Sequence, residues 1–561
     1  MSKSETRKTM QNLPISLQSF REIREEDRLY VDKTEYIHRL LSDGRYYFLA
    51  RPPRFGKTIL LSAIEEFFAG NRDYFRGLYL GDVLNDQKRH PVIYLDFKIL
   101  DSSSSVALRE DLAFVIKKIA FKENLAIKGA SPGALMTWLI EALQIKYHQK
   151  VVVLIDNSDW PVSLCLLDGK RAAQNSVILR DFFGVLRSLH PRLRFILVTG
   201  VLKFSEMSKF AGLSFLTDIS LAPRYGEICG ISSNELTKHY GPRLEEILDL
   251  FRSLGVLDYQ AGISELIQEI VHWYGGYSFD GESKLLNPNA LNLFLENASF
   301  DHYWYQSLDT HTISTLFSKK LSKLKPPRDL FFTKGELKEV YVNSPESFPF
   351  LFQMGLLTLQ EKSLEKGVLE YSLGFPNYEA ESGLYTSVLA KLTNMGNYAV
   401  RSFIRDFRFR VENGDVLKLG QILSDFLAGL DPGKVDPSGY PLLFYLILDL
   451  AGFRFRPEVE TPYTVESILK TQGGLSSVLT LQYLPADNYS TPGERKRLLA
   501  DKLSDIFAKN AEPLENSPPQ GIFPEFKEIY LFVTGLNDCL GGCISRQGGL
   551  IFRPLTKAEE D

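Results

Sequence analysis

The sequence predicts an α/β domain with a mostly parallel sheet over roughly its first 230 residues. Four short apolar runs lie far apart in this region: RYYFLA from Arg45, PVIYLDF from Pro91, VVVLID from Val151 and RFILVT from Arg194. None alternates apolar with polar residues, as expected for strands that helices cover on both faces. Helical patterns such as ALREDLAFVIKKIAF and NSVILRDFFGVLRSLH separate the runs. Strands that alternate with helices indicate parallel pairing.

The composition is that of a globular protein with several domains. The chain has 561 residues, more than a single hydrophobic core usually holds. With 44% hydrophobic and 24% charged residues, it does not have the composition of a disordered protein. Because 65 Lys and Arg stand against 69 Asp and Glu, no overall charge attracts nucleic acid. Cys165, Cys229, Cys539 and Cys543 are too scattered for a disulfide framework or a zinc site, which favours a cytoplasmic location.

Two further observations predict that the chain has no membrane attachment. The N-terminal stretch MSKSETRKTMQN is polar and lacks the apolar core of a signal peptide. The longest apolar stretch, at residues 440–453, contains Asp449 and is too short to span a bilayer. We expect it to form a buried helix.

The segment RPPRFGKT, at residues 51–58, lies between the first apolar run and the helical pattern ILLSAIEEFF. This order predicts a phosphate site, because Gly56 lets the backbone approach a phosphate and the helix N-terminus offers free N–H groups. Lys57 is placed to reach the β- and γ-phosphates of ATP, and the Thr58 hydroxyl to bind Mg²⁺. Arg51 stands where the full G-x-x-x-x-G-K-[ST] motif has its first glycine.

The third and fourth apolar runs end in polar residues that fit the same site. Asp156, in VVVLIDNSD, ends its strand as the Mg²⁺-linked acid of a P-loop fold does. The next residue is Asn157, whose amide can orient water but cannot accept its proton. Asp159 either replaces that base or caps the following turn, and Thr199 either senses the γ-phosphate or closes a buried strand. The predicted nucleotide-binding residues are Arg54, Phe55, Gly56, Lys57, Thr58 and Asp156, with Thr58 and Asp156 on the metal.

Five segments of the chain carry a family signature in a fixed order. They are LPISLQSFREIREEDRLYVDKTEYIHRLL, RPPRFGKTILLSAIEEFF, VVVLIDNSDWP, FILVTGVLKFSEMSKFAGLSFLTDISLAPRYGEICGISSNEL and WYGGYSFDG. Together they resemble the bacterial AAA-ATPase-like family. Its RPRRFGKT loop matches residues 51–58 with Pro53 in place of Arg, and its YVDKT matches residues 30–34, where it is expected to frame the nucleotide. Its IDEYD matches IDNSD, where Asn157 replaces the glutamate, so the resemblance implies MgATP binding with weak or absent hydrolysis.

The same resemblance implies a C-terminal PD-(D/E)xK nuclease-like domain. Such a site needs an Asp on one strand and Glu-x-Lys on the next, so that two carboxylates hold Mg²⁺. The best match places Glu466 at the Asp position, with Thr480 and Gln482 at the Glu and Lys positions. One carboxylate is then left as a metal ligand, so we expect the domain to be inert. Glu458 and Glu460 stay open as alternatives for the acid.

The predicted organisation has three parts. They are a P-loop NTPase-type domain at 1–235, a helical middle or lid region at 236–430 and an α/β restriction-endonuclease-like domain at 431–561. Polar or proline-broken stretches lie at 319–328, 431–441 and 510–521 and predict linkers and loops. The first of them is basic, and we interpret it as a solvated linker in preference to a nucleic-acid patch.

The function predicted from these observations is that of a cytoplasmic ATP-binding protein. ATP and Mg²⁺ act as a conformational ligand that controls binding of an unknown protein partner. A competing hypothesis is an ATP-regulated DNA nuclease, which needs the acid, acid and lysine set that this sequence lacks. A scaffold without nucleotide is disfavoured by the intact Gly56, Lys57 and Thr58. We interpret the basic residues 495–497 as a solvated helix start in preference to a nucleic-acid contact.

Overall fold

The chain folds into two compact units. The computed structural model describes residues 10–83, 88–208, 213–256, 260–318, 330–345, 347–413, 416–428, 440–452, 454–455, 464–470, 476–483, 526–534 and 538–545. The first unit consists of the described residues of Met1–Thr312 and Lys325–Gly383, and the second of those of Ile313–Leu324 and Leu384–Asp561. The three-part division at 235 and 430 stays a prediction.

A five-stranded parallel sheet lies at the centre of the first unit. Its strands are β1 (Tyr46–Ala50), β2 (Val92–Asp96), β3 (Val151–Asp156), β4 (Leu193–Gly200) and β5 (Thr217–Asp218). They lie in the order β2-β3-β4-β1-β5, and every neighbouring pair is parallel. The α/β class and all four predicted strands are thus confirmed. Because parallel strands end on the same side, the residues that follow β1, β2, β3 and β4 meet at one edge of the sheet.

Helices accompany this sheet on both sides. They are α1 (Phe20–Glu25), α2 (Thr34–Asp43), α3 (Lys57–Ala69), α4 (Tyr79–Val83), α5 (Ser105–Lys122), α6 (Pro132–Tyr147), α7 (Trp160–Ser163), α8 (Gly169–Ser188) and α9 (Ser205–Ser208). Ser104 and Ser131 cap α5 and α6 by accepting a hydrogen bond from a backbone N–H in the first turn, which stabilises a helix start. Every residue of β3 is buried, so its run of apolar residues is explained by burial of both faces.

Between residues 231 and 374 the chain alternates short strands with helices. The elements are β6 (Ile231–Ser232), α10 (Ser233–Ser253), α11 (Ile263–Tyr274), β7 (Leu285–Leu286), α12 (Pro288–Asn297), α13 (Thr310–Ser318), β8 (Phe331–Thr333), α14 (Lys334–Leu337), α15 (Phe348–Met354), β9 (Thr358–Glu365) and β10 (Val368–Gly374). β6 pairs with β7, and β8, β10 and β9 form a second antiparallel sheet. A capping box of Ser232 and Glu235 starts α10.

The small sheet of β8, β9 and β10 was not predicted in the helical middle region. β9 reads TLQEKSLE, and most of its side chains after the first two are exposed, so it lacks the apolar run of a buried strand. Lys366 and Gly367 close the hairpin with φ angles of +50° and +81°. Two left-handed residues are typical of a tight hairpin turn, and this turn is the signal that could have shown the strands.

In the last part of the chain, the described residues form further helices and a mixed sheet. They are α16 (Tyr378–Thr393), α17 (Asn397–Asn413), α18 (Val416–Ala428), α19 (Tyr440–Leu450), β11 (Arg454–Phe455), β12 (Thr464–Lys470), β13 (Ser476–Tyr483), β14 (Phe526–Thr534) and β15 (Asp538–Ser545). The strands lie in chain order, with β13 and β14 parallel and the other neighbours antiparallel. α19 confirms the predicted buried helix, since Leu443, Phe444 and Ile447 are buried. Among the described residues, none of the helices has both the length and the apolar character that crossing a membrane requires.

The positions matched to a nuclease site lie on neighbouring strands of this sheet. Glu466 in β12 is paired with Thr480 in β13, and Gln482 is paired with Thr464. The alternative acids Glu458 and Glu460 lie outside the described residues, as do the predicted linkers at 319–328 and 510–521, most of 431–441 and the basic residues 495–497. The restriction-endonuclease-like fold and its inactivity stay predictions.

Candidate functional site

The loop at residues 51–58 connects β1 to α3, where the sequence predicts the phosphate site. Gly56 caps the N-terminus of α3 with φ +97°, a left-handed conformation that glycine adopts without strain. Among the described residues, no atom lies within 4 Å of a Cβ built on Gly56. Glycine is therefore required here by the backbone angle and not by crowding from neighbouring atoms. Arg54 is exposed with φ +61°, and the Phe55 side chain is buried. Phe55 can therefore contact a ligand through its backbone and not through its side chain.

The Lys57 ammonium is folded into this loop. Its Nζ donates hydrogen bonds to the carbonyl oxygens of Arg51 at 2.7 Å and Pro52 at 2.9 Å. The residue is 5% exposed, and burial lowers the pKa of its ammonium group. A charged phosphate oxygen attracts such a buried ammonium group more strongly than a neutral carbonyl oxygen does.

Thr58, Asp156 and Thr199 meet at the carboxyl edge of the sheet. The Asp156 carboxylate accepts hydrogen bonds at 2.6 Å from the hydroxyl groups of both Thr58 and Thr199, and one at 2.9 Å from the Asn157 backbone N–H. Asp156 is fully buried. A carboxylate and a hydroxyl in contact are the oxygen donors that Mg²⁺ takes beside a nucleotide, so the residues present fit that metal.

Asp159 is held by a different set of partners. One carboxylate oxygen accepts the backbone N–H of Val201 at 2.8 Å, and the other accepts that of Leu202 at 3.1 Å and the hydroxyl of Ser163 at 2.9 Å. A Cβ built on Gly200 would lie 2.7 Å from Asp159. Asp159 thus fastens the chain that leaves β4, and its role as a substitute base stays a prediction.

Asp96 is a residue of this edge that the sequence reasoning missed. It ends β2 directly beside Asp156, and its carboxylate accepts a hydrogen bond at 2.9 Å from the side-chain amide of Asn157. Asn157 has φ +53°, so the chain turns sharply after Asp156. The available signal was that PVIYLD and VVVLID both end in an acid.

Comparison with known proteins decides the family. The family model described as a predicted AAA-ATPase, AAA-ATPase-like, matches residues 14–210. An uncharacterized protein in the vnfD 5' region of Azotobacter chroococcum mcd 1 is 30% identical over 380 residues, which are 68% of this chain and 70% of that protein.

The chain belongs to the AAA-ATPase-like family. The match to residues 14–210 contains the loop at residues 51–58, β3 with Asp156 and β4 with Thr199. It ends before the C-terminal sheet. The family is therefore shown for the region of the candidate site, and the nuclease-like end rests on the resemblance noted above.

Arg51 explains how this AAA-ATPase-like loop forms without its first glycine. The guanidinium is 1% exposed and donates to the carbonyl oxygens of Ser220 at 2.6 Å and Tyr225 at 2.9 Å. Its Cζ lies 4.1 Å from the centre of the Phe279 ring. Burial lowers the pKa of Arg51 to about 10. The side chain thus turns away from the phosphate side and ties the loop to the segment after β5.

The same loop is also held from the region beyond β7. The indole Nε1 of Trp304 donates to the Pro53 carbonyl at 2.9 Å, although 251 positions separate the two residues. The fully buried Glu379 accepts the backbone N–H groups of Trp304 at 2.6 Å and Tyr305 at 3.1 Å. A Cβ built on Gly355 would lie 2.7 Å from Pro52. These contacts depend on the tertiary fold, so sequence reasoning had no means to find them.

The YVDKT segment ties the start of the chain to this unit. Asp32 accepts hydrogen bonds from the Thr34 hydroxyl at 2.7 Å and from the Tyr79 backbone N–H at 2.8 Å. Lys33 forms an ion pair with Glu235 at 2.6 Å. Asp32 and Lys33 therefore hold α4 and the start of α10 in place. Their expected role in framing a nucleotide stays a prediction.

Proposed function

We propose that this AAA-ATPase-like protein binds MgATP at the loop before α3 and hydrolyses it slowly if at all. The observation that carries the proposal is the hydrogen bond that the Thr58 hydroxyl donates to Asp156 at 2.6 Å. Thr58 directly follows the buried Lys57 in the sequence. Lys57 is assigned to the β- and γ-phosphates, and Thr58 and Asp156 to Mg²⁺. When bound, the metal neutralises phosphate charge.

Nucleotide in this proposal is a conformational ligand for a protein partner. A phosphate that draws Lys57 away from the Arg51 and Pro52 carbonyls disturbs the segment that Trp304 and Gly355 hold. That contact offers a route by which occupancy of the loop reaches the helical region of the first unit. A ligand shifts such an equilibrium only by its difference in affinity for the two states, so ATP and ADP are expected to act differently.

Equilibrium titration of the full chain with ATP, with and without Mg²⁺, tests the proposal. We expect Lys57→Ala to weaken binding by at least about 30-fold, since a buried charge contact is lost. The exposed Lys170→Ala, on α8, is the matched control and should bind as the parent does. Equal affinity of Lys57→Ala and the parent would refute the assignment.

A further inference from the structure

Two parallel strands bring a second carboxylate to the proposed metal site. β2 and β3 are neighbours in register, so that Asp96 is paired with Asp156. Neighbouring strands lie about 4.8 Å apart, and Asp156 contacts Thr58. Asp96 therefore lies on the strand next to that of Asp156, the carboxylate assigned to Mg²⁺, and at the same edge of the sheet.

Asn157 connects the two strand ends. Its left-handed backbone, with φ +53°, turns the side chain so that Nδ2 donates to the Oδ1 of Asp96 at 2.9 Å. Oδ1 of Asp96 also accepts the backbone N–H of Lys98 at 2.9 Å. Among the described residues none donates to the amide oxygen of Asn157, which can thus accept a hydrogen bond from water.

Asp96 is better placed than Asp159 to contact a water molecule. Both oxygens of Asp159 accept hydrogen bonds, three in all, from Val201, Leu202 and Ser163. The bonds to Asp96 fall on Oδ1, and no described residue donates to Oδ2. Asp96 is also partly exposed, whereas Asp159 is 4% exposed.

We infer that Asp96 is the proton acceptor for hydrolysis and that Asn157 orients the attacking water, an inference that rests on the proposed function. The water oxygen forms a bond to the γ-phosphorus, and the bond from that phosphorus to the β,γ-bridging oxygen breaks. ADP leaves with the electron pair. One proton of the water passes to Oδ2 of Asp96 and then to solvent, and the products are ADP and inorganic phosphate.

Single-turnover release of phosphate from MgATP, measured beside the MgATP Kd, tests this role. Asp96→Asn keeps an oxygen that can accept from Asn157 but cannot take a proton. We expect its Kd to stay within about threefold of the parent while its rate falls about 100-fold, the scale of general-base catalysis. Formate should restore part of the rate to Asp96→Ala, which a purely structural role for Asp96 does not predict.

Asp181→Asn is the matched control, since Asp181 is an exposed acid on α8 and should keep the parent rate. An Asp96→Asn rate within threefold of the parent would overturn the inference. So would a parent that binds MgATP and releases no phosphate, and that result leaves the proposed function standing. A parent that does not bind MgATP would refute both.

Discussion

The Asp156 carboxylate accepts three hydrogen bonds in a fully buried position. Two come from hydroxyl groups, Thr58 on α3 and Thr199 on β4, so one acid joins three elements of the site. A hydrogen bond to a charged acceptor contributes about 1.5–3 kcal/mol. The site is therefore held together before any ligand arrives.

We predict that Thr199→Val lowers the free energy of unfolding by about 1.5–3 kcal/mol, because it removes a hydroxyl donor from a buried carboxylate at constant side-chain shape. If Thr199 senses the γ-phosphate, phosphate release also slows. Urea unfolding and single-turnover assays check both effects. Thr199→Ser keeps the hydroxyl and should preserve stability, whereas equal losses in both variants would contradict this explanation.

Replacing Arg51 by the glycine of the full motif is predicted to harm the protein. Arg51→Gly removes the donors to the Ser220 and Tyr225 carbonyls and leaves a cavity, so unfolding should become easier by about 3 kcal/mol or more.

Arg54→Gly makes the same substitution at an exposed residue with φ +61°. It should leave stability unchanged or slightly raised, because glycine suits that backbone conformation. Denaturant unfolding of both variants gives the comparison. If Arg51→Gly were as stable as the parent, the anchoring role of Arg51 would be wrong.

At the scale of elements, the segment around Trp304 and the start of α16 hold the loop at residues 51–58 from outside the parallel sheet. Trp304 contacts the loop through Pro53, and Glu379 of α16 holds the backbone of Trp304. Oε2 of Glu379 is buried and lacks a hydrogen-bond partner among the described residues. Burial raises the pKa of this carboxyl group to about 8.

Removal of the indole donor is predicted to weaken nucleotide binding. Trp304→Phe keeps a ring but loses the hydrogen bond to Pro53, and a loss of about 1 kcal/mol corresponds to about a fivefold increase in the MgATP Kd. Trp138→Phe, on α6 with 48% exposure, is the matched control. Unchanged affinity in Trp304→Phe would show that the loop does not depend on this contact.

Glu379 is predicted to make stability fall as pH rises. Its pKa is raised from 4.5 to about 8, so between these values the folded protein keeps a proton that the unfolded chain has released. The free energy of unfolding must then decrease with pH across this window. Glu379→Gln mimics the protonated form and should flatten that decrease in thermal melts at pH 5, 7 and 9. If the stability of the variant fell equally with rising pH, the decrease would arise from another titrating group.

At the scale of the whole molecule, burial decides what the sequence could predict. Four of the five strands of the parallel sheet were predictable because burial on both faces forces continuous apolar runs. Lys57 and Thr58 were predictable because their loop lies between the first apolar run and a helical pattern. Asp156 was predictable because it ends the third run. Most of β9 and the start of β10 are exposed, so these strands lack that signal.

The partners of the site residues were beyond sequence reasoning. Arg51, Asp96 and Trp304 act through contacts with residues 61 or more positions away, and no local pattern encodes such pairs. Asp159 illustrates the same point, since its spacing left a base and a cap equally open. Its hydrogen bonds to Val201 and Leu202 depend on how β4 lies beside β3.

We predict that the purified full chain does not cleave DNA with Mg²⁺ or Mn²⁺. A single carboxylate, Glu466, is present among the three matched positions, and the catalytic Mg²⁺ of such a site needs two. Incubation of supercoiled plasmid with the parent and with Glu466→Ala checks this. Cleavage by the parent that Glu466→Ala abolishes would show an active nuclease.

A crystal structure of the protein grown with MgATP tests the central claim most directly. We predict that the terminal phosphates lie against Lys57, which leaves the carbonyls of Arg51 and Pro52, and that Mg²⁺ is held by Thr58 and by Asp156, directly or through water. A nucleotide bound elsewhere, or an empty loop at saturating MgATP with Lys57 still on those carbonyls, would contradict the account.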